Sequence, residues 1–212
     1  MRTLCGLPLL VGLLGAAQAG ALPLLSEVFY DAVGSDDGFG FVEIYGEPGT
    51  PLDGLTVEGI NGAGGEVTVS LPLSGAIPAD GLYVLADQAS GGGSSVAGAD
   101  HLLDFDFQNG PDSIVLRDGD AVLDAVGYGV FDEGEVFAGE GTPAPDPPAG
   151  SSLARRFADL DSDDNAADFV ALAVPTPGSA PLSGIPEPSS GLLLTLGLVG
   201  LARVGRRSPS AA

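Results

Sequence analysis

The chain has 212 residues, room for one domain and its processing signals. Its 29 acidic residues outnumber 7 basic ones, and the formal charge is −22. A body this anionic repels phosphate backbones, which argues against nucleic acid as a partner, and the single cysteine, Cys5, leaves no disulfide framework or cysteine-based metal site.

The chain opens with "MRTLCGLPLLVGLLGAAQAGA". Arg2 supplies a positive start, Leu7 to Leu14 an apolar core, and Ala17-Gln18-Ala19 a small-x-small cleavage site. Residues 1–19 are therefore expected to be a signal peptide, with Gly20 the first residue of the mature chain. The implied partners are the export machinery and a signal peptidase. Cys5 precedes the apolar core, which argues against lipoprotein cleavage.

From Leu22 to about Gly178 short strand-like runs follow one another. They are "LLSEVFYDAV", "FGFVEIYG", "LDGLTVEGI", "EVTVSLPL", "GLYVLAD", "DSIVLRD" and "AVLDAVGYG". Several alternate polar and apolar residues, as half-buried strands do. Glycine, proline, aspartate and serine separate them. Asp118-Gly119 lies between two strand patterns and predicts a tight hairpin, because glycine tolerates positive φ. No long stretch carries the apolar period of a helix. The pattern predicts an all-β sandwich. Two loops stand out: "DQASGGGSSVAGAD" is small and polar, and "GEGTPAPDPPAGSS" is proline-rich and should be irregular.

Few residues suggest chemistry. His101 is the only histidine, so no second histidine or cysteine can join it in a zinc site, and it is expected at a loop or strand edge. Glu43 lies in mid-strand, where it is expected to face solvent or pair with an arginine. In "DFDFQNG" the Phe105 and Phe107 side should enter the core while Asp104 and Asp106 stay wet. The densest acidic run is "DLDSDDNAADF". It places Asp159, Asp161, Asp163, Asp164, Asn165 and Asp168 within ten positions. Alternate carboxylates on a looped backbone can converge on one hard cation, and calcium accepts six to eight oxygens in irregular geometry. The run is not an EF-hand, since Asp164 stands where that loop needs glycine and Val170 where it needs glutamate. The competing expectation is a polar loop whose side chains bond backbone amides. Arg155 and Arg156 lie just upstream and would compete with metal for the same carboxylates.

The chain closes with Pro186-Glu187-Pro188, then an apolar run from Gly191 to Val204 broken only by Thr195 and Arg203, then Arg206 and Arg207. The prolines fix φ and lack a donor, so a regular helix cannot run through them. Residues 179–190 are expected to be a linker. Residues 191–207 are expected to be a short transmembrane segment with its arginine cluster. Arginine at this end favours a cytoplasmic C-terminus with the body outside. The order of triplet, apolar run and terminal arginines resembles the PEP-CTERM sorting signal of Gram-negative bacteria. The resemblance covers about the last 28 residues. It assigns the signal to Pro186, Glu187, Pro188, Arg203, Arg206 and Arg207. It implies an exosortase-like membrane enzyme as a partner and the cell surface or extracellular matrix as the destination, often alongside exopolysaccharide.

The body also resembles the bacterial lamin-tail domain. The matching blocks are "LLSEVFYDAVGSDDGFGFVEIYG", "IPADGLYVLAD", "DFQNGPDSIVLRDGDAVLDAVGYG", "SSLARR", "DLDSDDNAADFV" and "PTPG", in the family's order. The resemblance implies an immunoglobulin-like β-sandwich over residues 22–178. It departs from the family around "EIYGEPGTPLDGLTV", where Gly46 and Leu55 replace a usual asparagine and tryptophan. The family is a binding or structural module. The leading expectation is thus a noncatalytic, exported β-sandwich acting in adhesion, matrix association or scaffolding. The alternatives are a calcium-dependent binder of polysaccharide or surface protein and a small hydrolase using two carboxylates.

Overall fold

The structure, a computed structural model, describes residues 22–184. Among the described residues ten strands form two sheets. In chain order they are β1 (Leu24–Phe29), β2 (Phe41–Tyr45), β3 (Leu55–Asn61), β4 (Val67–Pro72), β5 (Leu82–Asp87), β6 (His101–Leu103), β7 (Asp112–Asp118), β8 (Ala121–Tyr128), β9 (Ser152–Arg155) and β10 (Phe169–Leu172). One four-residue helix, α1 (Asn165–Asp168), interrupts them. The larger sheet has the order β10-β9-β1-β2-β5-β6 and the smaller β4-β3-β7-β8. All pairings are antiparallel except β5 with β6.

The two sheets share one core. Leu25, Val28, Val42, Ile44, Tyr83, Leu85, Leu153 and Phe169 from the larger sheet belong to one buried cluster with Leu55, Val57, Leu71, Ile114, Leu116 and Val126 from the smaller. Alternation along β3 follows from this: Leu55 and Val57 are buried, whereas Thr56 and Glu58 are only half-buried. Strands β2 and β5 read as nearly continuous apolar runs for a different reason. Their second face is covered too, because Phe29, Phe41, Val84 and Ala86 pack beneath Val96, Ala99 and Leu102.

The expected hairpin forms between β7 and β8. Asp118 pairs with Ala121, so the turn residues are Gly119 and Asp120, and Gly119 takes φ +56°. Phe105 and Phe107 are buried while Asp104 and Asp106 are exposed, as the alternation predicts. His101 begins β6, the edge strand of the larger sheet. Beyond β10 a strap, residues 173–184, lies against the larger sheet, with Thr176 bonded to Glu27 on β1 and Gly178 to Glu43 on β2.

Candidate functional site

The side chain with the most polar partners in the described fold is Arg155, at the end of β9. It is buried, and it joins the two sheets. Its Nη2 donates to both carboxylate oxygens of Asp124 on β8, at 2.9 Å each. Its Nη1 donates to Asp161 Oδ1 at 3.2 Å, to Asp168 Oδ2 at 3.1 Å and to the Leu160 carbonyl at 3.2 Å. Its Nε donates to the Leu25 carbonyl at 3.0 Å. The guanidinium carbon also lies 4.6 Å from the centre of the Phe169 ring. A planar fork of donors suits this task, where a lysine would supply one point charge.

Local irregularities place these groups. The β1–β2 register shifts between Leu25 and Glu27, a bulge that lets one strand serve two clusters. On one side the Leu25 amide donates to Asp124 Oδ2 at 2.6 Å while its carbonyl accepts from Arg155. On the other, Ser26 and Glu27 turn toward the strap. Asp124 also accepts from the Ala125 amide at 2.8 Å. Burial pushes the Asp124 carboxyl upward, and Arg155 and the Leu25 amide oppose it.

Glu140 is the fourth acid of this cluster. Oxygens of Asp124, Glu140 and Asp161 lie within 4.8 Å of one another. Glu140 Oε2 is buried and has no hydrogen-bond partner. Arg155 donates to Leu25, Leu160, Asp124, Asp161 and Asp168, and none of its bonds reaches Glu140. Burial, and then the negative charges of Asp124 and Asp161, push the Glu140 carboxyl up to about 8. It therefore holds a proton at neutral pH.

The acidic run is brought together only in part. Asp159 is drawn to the strap, accepting from the Ser183 amide at 2.6 Å and hydroxyl at 2.7 Å. Asp161 and Asp168 face Arg155, and Asp168 also accepts from the Ser162 hydroxyl at 2.6 Å and amide at 2.9 Å. Asp163 takes a positive φ of 55°. Asp164 accepts from the Thr142 hydroxyl at 2.5 Å and amide at 3.1 Å, bonds that hold its carboxyl below the usual range. Asn165 is buried: its Oδ1 accepts from the Gly127 and Glu140 amides, and its Nδ2 donates to the Ala125 carbonyl. Of the six residues only Asp161 enters the three-acid group, and its companions, Asp124 and Glu140, come from elsewhere in the chain. The alternate aspartates are thus distributed among protein donors instead of aimed at one point. Ala17, Ala19, Gly20 and the sorting residues Pro186, Glu187, Pro188, Arg203, Arg206 and Arg207 lie outside the described residues.

Glu43 corrects an expectation. It neither faces solvent nor meets an arginine. It pairs across the sheet with Glu27, and both are buried. Glu43 accepts from the Ser26 hydroxyl at 2.7 Å and the Gly178 amide at 2.6 Å. Burial raises its carboxyl above the ordinary range, and these bonds oppose the rise. Glu27 accepts from the Ser152 hydroxyl at 2.5 Å, the Thr176 amide at 2.9 Å and the Thr176 hydroxyl at 2.7 Å. The two glutamates therefore clamp the strap to the sheet. All four carboxylate oxygens of this pair accept hydrogen bonds.

Comparison with models of known protein families, with curated proteins and with solved structures gives no match.

Proposed function

We propose that this chain is a noncatalytic exported protein of the bacterial cell surface or extracellular matrix. Its body is an immunoglobulin-like β-sandwich of the lamin-tail kind, and its C-terminal segment is an address read at the membrane by an exosortase-like enzyme. Its work is adhesion, matrix association or scaffolding. One observation carries the reading of the body. Arg155 with Asp124 and Asp168, and Glu27 and Glu43 with the strap, are committed to one another and to backbone and hydroxyl donors. Such networks join sheets and fix a strap, and in an exported chain without disulfides they take over part of the role of crosslinks. The address rests on the terminal order of Pro186-Glu187-Pro188, apolar run and arginines.

Fractionation of the producing cells tests the proposal. The body should be recovered from the surface or matrix fraction, and deletion of residues 185–212 should strand it in the periplasm. Equal recovery from the matrix with and without those residues would overturn the address.

A further inference from the structure

The outer face of the larger sheet carries an apolar groove of about 460 Å³. Phe29 and Phe41 form its floor. Val96, from the glycine- and serine-rich loop, forms one wall, and Pro175 and Pro177 of the strap form the other. Phe39 stands at the rim, 44% exposed. The volume lies in the range of a small ligand pocket.

A second hollow lies across the turn that carries Phe39. It is lined by Asp36, Asp37, Asp87, Asp104 and Asp106. The two hollows share that turn. The Phe39 amide donates to the Asp36 carbonyl, the Gly38 amide to Asp87, and the Ser95 amide to the Gly38 carbonyl. The described residues contain three arginines, and none lines the acidic hollow. Arg117 pairs with Glu58, Arg155 is buried in its own network, and Arg156 bonds the Ala167 carbonyl. The surface thus offers an apolar trough beside an unneutralised cluster of acids.

One segment of this chain has the matching order. Residues 191–204 are apolar, and Arg203, Arg206 and Arg207 close them. The strap that leads to that segment lines the groove. Thr176 and Ser179 line both the groove and a neighbouring cleft that also includes Pro181. Six residues lie between Gly184 and Gly191, and the seven steps of chain span up to about 25 Å. Burying apolar surface in the trough and placing arginines against the acids both lower the free energy of the same contact.

We propose that, before it meets a membrane, segment 191–204 docks in this groove of its own chain with the arginine end against the acidic hollow. The body then shields its own membrane-seeking segment in transit. The docking goes beyond the proposed address and does not depend on any processing enzyme.

The test uses the full chain synthesised without membranes, with a photo-crosslinking residue at position 96. A control carries it at Val122, an exposed position on β8 of the other sheet. Isotopically heavy and light chains are mixed before illumination. Crosslinks from position 96 to residues 191–204 within one chain are expected, with loss of the signal when bilayer vesicles are added. Arg203→Glu, Arg206→Glu and Arg207→Glu together should weaken the crosslink at low salt. Tail crosslinks no stronger from position 96 than from position 122, or found only between heavy and light chains, would overturn the proposal. Undiminished crosslinking by the triple variant would overturn the role of the acidic hollow. A sorting failure in cells would leave these crosslinks unchanged, so the two proposals fail separately.

Discussion

Arg155 is the residue on which both sheets depend, because its removal leaves Asp124 and Asp168 buried without their cation. Breaking a buried pair by deleting one partner costs about 3–5 kcal/mol. Arg155→Met should lose stability on that scale in denaturant unfolding, and Arg155→Lys should recover only part of it. A loss under 1 kcal/mol would contradict the cross-sheet role. Glu140 carries the opposite problem, a carboxyl without a donor. Its folded pKa, about 8, lies above the ordinary 4.5. The folded state therefore binds the proton more tightly than the unfolded state. That contribution is complete below about pH 4.5 and is lost as pH rises through 8. Glu140→Gln cannot ionise. Its Tm should exceed that of the parent above pH 8 and converge with it near pH 4, as read by thermal unfolding across that range. Parallel pH profiles would contradict the raised pKa.

At the scale of elements, the loop from Asp159 to Asp168 is held by hydrogen bonds that a calcium ion would have to displace. Addition of millimolar calcium, or of chelator, is therefore expected to leave Tm unchanged, since only binding to the folded state raises it. A calcium-dependent rise of several degrees would restore the cation-binding reading. Asn165 joins this loop to β8 and to the segment at Glu140. Asn165→Ala should cost about 1–3 kcal/mol, because it leaves the buried Gly127 amide and Ala125 carbonyl unpaired. Strands β1 to β5, β7 and β8 are legible in the sequence as short apolar or alternating runs between turn residues. So is the hairpin at Gly119. Strands β6, β9 and β10 are not legible as strands, for they have only three or four residues each, and β9 also pairs with β1, far back along the chain. The acidic loop was visible as a concentration of charge, but its partners were not. Asp124 interrupts the apolar pattern of "AVLDAVGYG", a usable sign of a buried polar role. Glu140 lies in a glycine-rich loop with no periodicity to mark it. Glu43 reads as an ordinary outward residue until the strap covers it.

At the scale of the whole molecule, the strap is the connection between body and tail. The clamp formed by Glu27 and Glu43 fixes residues 176 and 178, so the chain leaves the body from a defined place. Acidic side chains elsewhere keep the body highly anionic. The proposed path is export at one end, sorting at the other, and a compact body delivered between them. The intact mass of the protein from each fraction of its own cells tests that path most directly. A matrix-associated chain beginning at Gly20 and ending near Pro188 is the predicted result. A membrane-bound chain that retains residues 191–212 would contradict it and make the tail a permanent anchor.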